Sequence, residues 1–319
     1  MVKSAPSVEC RAGAAYLGEM SNSTNPLKTI WRALPFTGEG GPLVTVLSLD
    51  GVIGGAELGR RGLTLRRLEK SIEAAFKPAD LAAVALAVNS PGGSPVQSRL
   101  IHDAIRRKAA EKGVPVLTFI EDVGASGGYI LSLAGDEIYA DESSVVGSIG
   151  VIAAGFGMHE AIAKLGVERR IQTAGENKSM LDPFQPETEK DKARLQTILD
   201  ELHEQFIAMV KERREGKLAD DAEIFSGAFW TGAKAKEKGL IDGTAQLGAF
   251  LRARYGKHVN VKRIMPDSGS LLKRLLSGGE AAAVAGHYSS GQSSGAALID
   301  AEAALDAAER RAMWSRYGL

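Results

Sequence analysis

Residues 81–93 read Leu-Ala-Ala-Val-Ala-Leu-Ala-Val-Asn-Ser-Pro-Gly-Gly. The unbroken apolar run Leu81–Val88 lacks the alternation of a half-buried strand and predicts a strand covered on both faces, as in parallel sheets. Asn89-Ser90-Pro91-Gly92-Gly93 then breaks it sharply, because proline cannot donate to a ladder and glycine admits backbone conformations closed to other residues. Outward from this stretch, Pro95–Ala110 is a helix with Val96, Leu100, Ala104 and Ile105 on one face, and Val114–Ile120 is a second apolar strand. Upstream, Leu43–Leu49 is a strand ending at Asp50-Gly51, and Leu65, Leu68, Ile72, Ala75 and Phe76 recur at helical spacing until Pro78. Strands and helices alternating in short units predict an α/β fold with parallel pairing and helices covering the sheet.

Downstream, the spacing predicts an apolar helix Tyr129–Ala134, a strand Glu137–Ala140 and a glycine-rich loop Gly147–Val151. A helix over 156–165, a strand Val167–Thr173 and a turn Gly175-Glu176-Asn177-Lys178-Ser179 follow. Residues 187–214 form a long amphipathic helix with Leu195, Ile198, Leu199, Leu202, Phe206, Met209 and Val210 on its apolar face. A short helix 231–239 and a strand Val259–Ile264 complete the ordered part. Three regions result: a polar N-terminal arm over 1–36, a main α/β domain over 37–276, and a Gly/Ser/Ala-rich linker with an Ala-rich tail helix over 277–319.

Lys plus Arg and Asp plus Glu number 39 each, with 44% hydrophobic residues in a chain of 319. That balance gives no support to a nucleic-acid partner, which calls for a basic excess or face. Cys10 is the only cysteine, so an intrachain disulfide and a Cys-based zinc site are excluded, in keeping with a reducing compartment. No apolar run approaches the ~18–20 residues that cross a bilayer, which leads to the expectation of a soluble, cytoplasmic protein.

Three glycine-rich turns each follow an apolar strand: Ser90–Gly93, Gly124-Ala125-Ser126-Gly127-Gly128, and Gly147-Ser148-Ile149-Gly150. Any one could be a tight connection. Ser126 stands out because it falls where a strand passes into a helix, with free N–H groups beside it that favour a developing oxyanion. A hydroxyl needs a base to become a nucleophile. His102 and His203 fall in helix patterns, His287 lies in the tail, and His159 and His258 have no motif around them, so no histidine is favoured. Lys178 is the other candidate, followed by apolar Met180, Leu181, Pro183 and Phe184. A lysine becomes a base near neutral pH when burial lowers its pKa by about three units, a differential of roughly 4 kcal/mol. On spacing alone, an exposed loop lysine remains the alternative. Lys178-Ser179 does not complete a phosphate-binding loop, since Asn177 stands where glycine is required. Gly124–Gly128 matches the G-x-S-x-G elbow pattern, a weak signal in a chain with 37 glycines.

Asn89–Gly93, Ala125–Tyr129, Gly147–Val151 and Lys178 before Ser179-Met180-Leu181-Asp182-Pro183 resemble, in order and interval, the signal peptide peptidase A family of S49 serine peptidases. The similarity runs from about Leu43 to Phe250. The resemblance implies a ClpP/crotonase-like α/β fold of stacked ββα units. It implies Ser126 as nucleophile, Lys178 as general base, Ser148 orienting the lysine, and an oxyanion hole from Gly92, Gly93 and Gly127, with neither metal nor cofactor. It further implies unfolded or hydrophobic peptides as substrate and a ring-shaped homo-oligomer in which neighbouring subunits share the cavity. Many members carry an N-terminal membrane anchor and this sequence shows none, so the expectation is work in the cytoplasm or peripheral contact with a membrane. A ClpP-type Ser-His-Asp peptidase, a crotonase-type acyl-CoA enzyme and a non-catalytic oligomeric scaffold share the fold and stay open as rivals.

Overall fold

A computed structural model describes residues 41–55 and 62–265, together with Trp314 and Tyr317. The arm expected over 1–36 and, those two residues apart, the linker and tail helix over 277–319 lie outside the described residues.

The frame is β1 (Leu43–Asp50), α1 (Leu65–Phe76), β2 (Leu81–Ser90), α2 (Pro95–Lys112) and β3 (Val116–Ala125). β1 pairs with β2 and β2 with β3, both in parallel. Parallel neighbours need a crossover between them, which α1 and α2 supply. Each helix starts where its sequence permits: the Thr64 and Ser94 hydroxyls accept from the N–H groups of Arg67 and Gln97, and Pro95 opens α2. Left-handed Gly113 closes α2.

The apolar run in β2 is divided between two cores. Val84, Leu86 and Val88 face α1 and α2, packing with Leu68, Ile72, Ile101 and Ile105. The alternating small residues Ala83, Ala85 and Ala87 face the other way, towards Leu117, Phe119 and Leu251. There α7 (Leu247–Tyr255) lays Phe250 against Phe119 and Tyr139, with ring centroids 5.4 and 4.3 Å apart. Both faces of the strand are covered, as its uninterrupted apolarity predicts.

β3 serves two partners along its length. Leu117–Ile120 pairs in parallel with β4 (Glu137–Ala140), and Val123–Ala125 pairs in parallel with β5 (Val145–Gly147). β6 (Phe229–Thr231) is antiparallel to β5, β7 (Gly243–Thr244) lies beside β4, and β8 (Asn260–Ile264) lies beside β1. The eight strands form one mixed sheet in the order β6-β5-β3-β2-β1-β8, with β4 and β7 branching from β3. The α/β class expected from the sequence is therefore observed.

The remaining helices are α3 (Gly127–Ser132), α4 (His159–Lys164), α5 (Glu189–Arg213) and α6 (Gly232–Glu237). Two expectations change. The helix expected over 156–165 contracts to α4, and residues 167–173 form no strand. Val167 and Ile171 lie exposed there, with no described strand alongside to complete a ladder. Among the described residues no helix is long and apolar enough to cross a membrane.

A buried ionic knot fastens the chain beneath α3. Arg214 is 2% exposed and donates to the Gly239 carbonyl (2.9 Å) and to Asp242 (2.8 Å). Asp242 also accepts from Lys217 (2.7 Å) and from the Ile138 N–H (2.8 Å), while Tyr129 Oη donates to the Leu240 carbonyl (2.7 Å). Burial pushes the Asp242 carboxyl up, but its bonds from Arg214, Lys217 and Ile138 outweigh this and hold it below its ordinary 3.8. A depressed carboxylate contributes stability that is complete above the unfolded-state value and is lost as pH falls through the folded-state value. Asp242→Ala leaves a buried guanidinium unpaired and is expected to cost about 3 kcal/mol. Urea denaturation at neutral pH measures the loss, and the variant's stability should fall less steeply than the wild type's on acidification below about pH 4.

Candidate active site

Ser126 sits between the end of β3 and the start of α3, with φ 52° and ψ −122°. A non-glycine residue in that region costs of order 1–3 kcal/mol and persists only where its surroundings impose it. Here the Ser126 N–H donates to the Gly147 carbonyl (2.9 Å), and its own carbonyl accepts from Tyr129 (2.9 Å) and Ile130 (3.1 Å). The hydroxyl makes no capping bond to α3. Backbone bonds on both sides thus hold the turn, and Oγ is left available for chemistry.

The Ser90–Gly93 turn lies directly against this one. Ile53 N–H donates to the Gly92 carbonyl and Ser94 N–H to the Ile53 carbonyl, both at 2.8 Å. This pairing leaves the Gly93 N–H directed away from Ile53. Neither the Gly93 nor the Gly127 N–H has a hydrogen-bond partner among the described residues. The two groups are close, since a Cβ placed on Gly127 would stand 3.3 Å from Gly93 N, and one on Gly92 would stand 2.8 Å from Ser126 Cβ. Two unpaired N–H donors beside an available hydroxyl can receive the oxygen of a carbonyl under attack.

Gly92 and Gly93 have φ of 108° and 138°, and a Cβ on Gly93 would fall 2.1 Å from the Ile53 carbonyl oxygen. No movable side chain relieves that overlap.

Ser148 follows β5 with φ 53° and is buried. Its N–H donates to the Ala228 carbonyl at 2.7 Å. Gly147 before it has φ 117° and packs under the Trp230 ring, where a Cβ would meet ring carbons at 2.9 Å. Ile149 after it is fully buried.

Ser126, Ser148, Gly93 and Gly127 line one cavity of about 900 Å³. All four stand at or just beyond the carboxyl ends of strands, where open α/β sheets place their ligands. Apolar walls come from Ile53, Ile130, Leu199, Phe206 and Met209. Tyr317 lines the same cavity, its ring edge-on to Phe229 with centroids 5.1 Å apart. Lys178 lies elsewhere. It is exposed in the turn where its N–H donates to Gly175 O (3.2 Å), and it is not among the cavity-lining residues.

Sequence reasoning missed the wall supplied by α5. The stripe Leu199, Leu202, Phe206 and Met209 reads as core, yet only Phe206 and Val210 of α5 are buried, and the stripe lines the cavity. His203, also cavity-lining, reads in sequence as a helix-face histidine. Its place beside the apolar stripe is the signal that points to the cavity.

A serine in a strained strand-to-helix turn, flanked by free N–H donors and an apolar cavity, has the arrangement that serine hydrolases use. The model of peptidase family S49 matches residues 108–261, a span that includes Ser126, Ser148 and Lys178. Residues 108–261 are thus those of a peptidase family S49 region. It is 49% identical over 284 residues to a Na(+)/H(+) antiporter NhaA of Brucella melitensis, covering 86% of this chain and 37% of that protein. It is 35% identical over 159 residues to a Methanocaldococcus jannaschii protein bearing a protease name (50% of each chain). With Protease 4 of Haemophilus influenzae it shares 27% over 210 residues, 66% of this chain and 33% of that one. The chain therefore spans 33% to 50% of the length of these relatives.

Gly93→Ala should lower stability by at least about 2 kcal/mol, because the overlap of its Cβ with the Ile53 carbonyl adds to the strain of positive φ. Chemical denaturation checks this, with Gly51→Ala as comparison: its φ is also positive (110°), but a Cβ there meets nothing within 4 Å.

Proposed function

We propose that the chain is a serine endopeptidase that hydrolyses unfolded or hydrophobic peptides through a Ser126/Lys178 dyad. The observation that carries this is Ser126 itself, held at positive φ with an uncommitted hydroxyl beside the unpaired N–H groups of Gly93 and Gly127. Ser126 Oγ attacks the scissile carbonyl while its proton passes to the neutral Lys178 amine. The carbonyl oxygen becomes an oxyanion held by the Gly93 and Gly127 N–H groups, with Gly92 shaping the turn. Collapse breaks the C–N bond, Lys178 returns the proton to the leaving amine, and an acyl-Ser126 ester remains. A water that gives its proton to Lys178 then releases the acid and restores Oγ–H. Ser148, in the same cavity, hydrogen-bonds the lysine and orients it. Neither metal nor cofactor enters these steps.

Lys178 is exposed within one chain, so the proposal includes a homo-oligomer, ring-shaped, in which a neighbouring copy brings the lysine segment to the cavity. The segment bears the marks of an unburied contact surface: Ile152, Phe156, Leu165 and Val167 are between 56% and 79% exposed. Exposed apolar residues grouped in this way mark association surfaces. The apolar cavity walls suit a hydrophobic peptide, and we place the enzyme in the cytoplasm, with peripheral contact to the membrane.

A second reading has an observation of its own. His203 lines the cavity that holds Ser126, whereas Lys178 does not, so Nδ1, the ring nitrogen not bonded to the Ile149 carbonyl, is the alternative base of a Ser-His peptidase.

Wild type, Ser126→Ala and Lys178→Ala are to be assayed on an unstructured peptide across pH. Each variant should lose about 10³-fold or more in kcat. An equimolar mixture of the two inactive variants should regain activity if serine and lysine meet from different copies. Full activity of Lys178→Ala near neutral pH would remove the dyad, and unimpaired Ser126→Ala would remove the nucleophile.

A further inference from the structure

We infer that His203 is a positioning residue that fixes the geometry of Ser126 through the Gly147–Ile149 turn; this rests on Ser126 being the nucleophile. His203 Nε2 lies 3.0 Å from the Ile149 carbonyl oxygen. A carbonyl oxygen can only accept, so Nε2 carries the hydrogen and donates it. That nitrogen is committed to the backbone and cannot also receive the proton of Ser126.

The turn receiving this bond is held at successive residues. Gly147 O accepts the Ser126 N–H at 2.9 Å, Ser148 N–H donates to Ala228 O at 2.7 Å, and Ile149 O accepts from His203. Ser126 and Ser148 occupy nearly the same uncommon backbone region, with φ of 52° and 53°. Neither conformation is favoured locally, so each depends on the bonds that impose it. Releasing Ile149 O frees one end of the three-residue unit, and Gly147 O, two residues earlier, is what holds Ser126 N.

The position of His203 along α5 explains why a hydrogen bond is needed there. The carboxyl-terminal part of α5 is anchored by buried Phe206 and Val210, and by Arg213 donating to Leu133 O (2.9 Å) and Gly135 O (3.0 Å). No residue of α5 before Phe206 is buried. His203 lies one turn ahead of Phe206, where the helix leaves its packed footing and becomes cavity wall. Its bond couples that wall to the serine turn.

The test compares His203→Leu, which keeps bulk without a donor, with His203→Gln, whose amide can donate to the same carbonyl and cannot titrate. Peptide cleavage gives kcat and KM across pH, and amide hydrogen exchange reports the Ser126 N–H directly, whether or not the protein cleaves the chosen peptide. Thermal unfolding confirms that each variant is folded. For His203→Leu, kcat should fall about tenfold with KM within about twofold, and Ser126 amide exchange should quicken by about tenfold. His203→Gln should return both quantities to within about threefold of wild type and keep the wild-type pH profile. Wild-type kcat and exchange in His203→Leu would overturn the inference. Equal damage in both variants, with the pH–rate limb altered, would also overturn it by making His203 the base. Cleavage surviving in Ser126→Ala would instead defeat the nucleophile, leaving the exchange measurement to judge His203 alone.

Discussion

The hydrogen bond from Ser126 N–H to the Gly147 carbonyl ties two backbone segments that would each relax if left alone. Ser126 and Ser148 both sit at positive φ without the freedom of glycine. Their conformations survive because the elements they join cannot move apart: β3 and β5 are in register through Val123–Val145, Gly124–Val146 and Ala125–Gly147. The bond between the serine turns is the closing bond of this ladder, made at its last pair. Strain is thus placed where the sheet is best able to resist it, and a hydroxyl held in this way requires little reorganisation to react.

That ladder depends in turn on β3 changing partners. If Leu117–Ala125 paired with one neighbour throughout, β4 would occupy the edge that β5 uses. The exposed pair Glu121-Asp122 marks the changeover. Asn89 fastens it, donating to Asp122 at 3.0 Å and accepting from the Val123 N–H at 3.2 Å. Asn89 also begins the Ser90–Gly93 turn, so one side chain links the divergence of the sheet to the loop carrying the Gly93 donor. The buried Arg214–Asp242 knot and the Tyr129 hydroxyl hold α3 from below. The site is consequently rigid on its β2, β3 and β5 sides and least packed on its α5 side.

Legibility in the sequence follows this division. Leu81–Val88 disclosed a strand buried on two faces because an apolar run of that length, without alternation, leaves neither face fit for water. The glycine turns were legible because positive φ and close backbone approach leave glycine little competition, and Gly92, Gly93 and Gly147 occupy such positions. The stripe on α5 was legible as apolar but not as cavity wall, since periodicity reports which residues share a face and not what that face meets. Val167–Thr173 has strand composition yet forms none, because a strand requires an edge and the described residues offer none there. The bond that His203 makes was unreadable because its partner is a carbonyl 54 positions away in sequence.

Lys178 differs from these cases in kind. A lysine acts as a base only in its neutral form, and removal from water is the means proteins use to favour that form. Within one chain its side chain is exposed and its surroundings, from Ile152 to Leu181, present apolar residues to solvent. Ser126 is organised by bonds internal to the chain, whereas the proposed base has no such support. On the proposed reading this asymmetry has a structural consequence: in an isolated chain the lysine lies outside the cavity that holds the serine. Association would bury the apolar segment, desolvate the lysine and complete the site in one event. The exposed surface that would drive the proposed assembly would then also keep the unassembled chain from cleaving peptides.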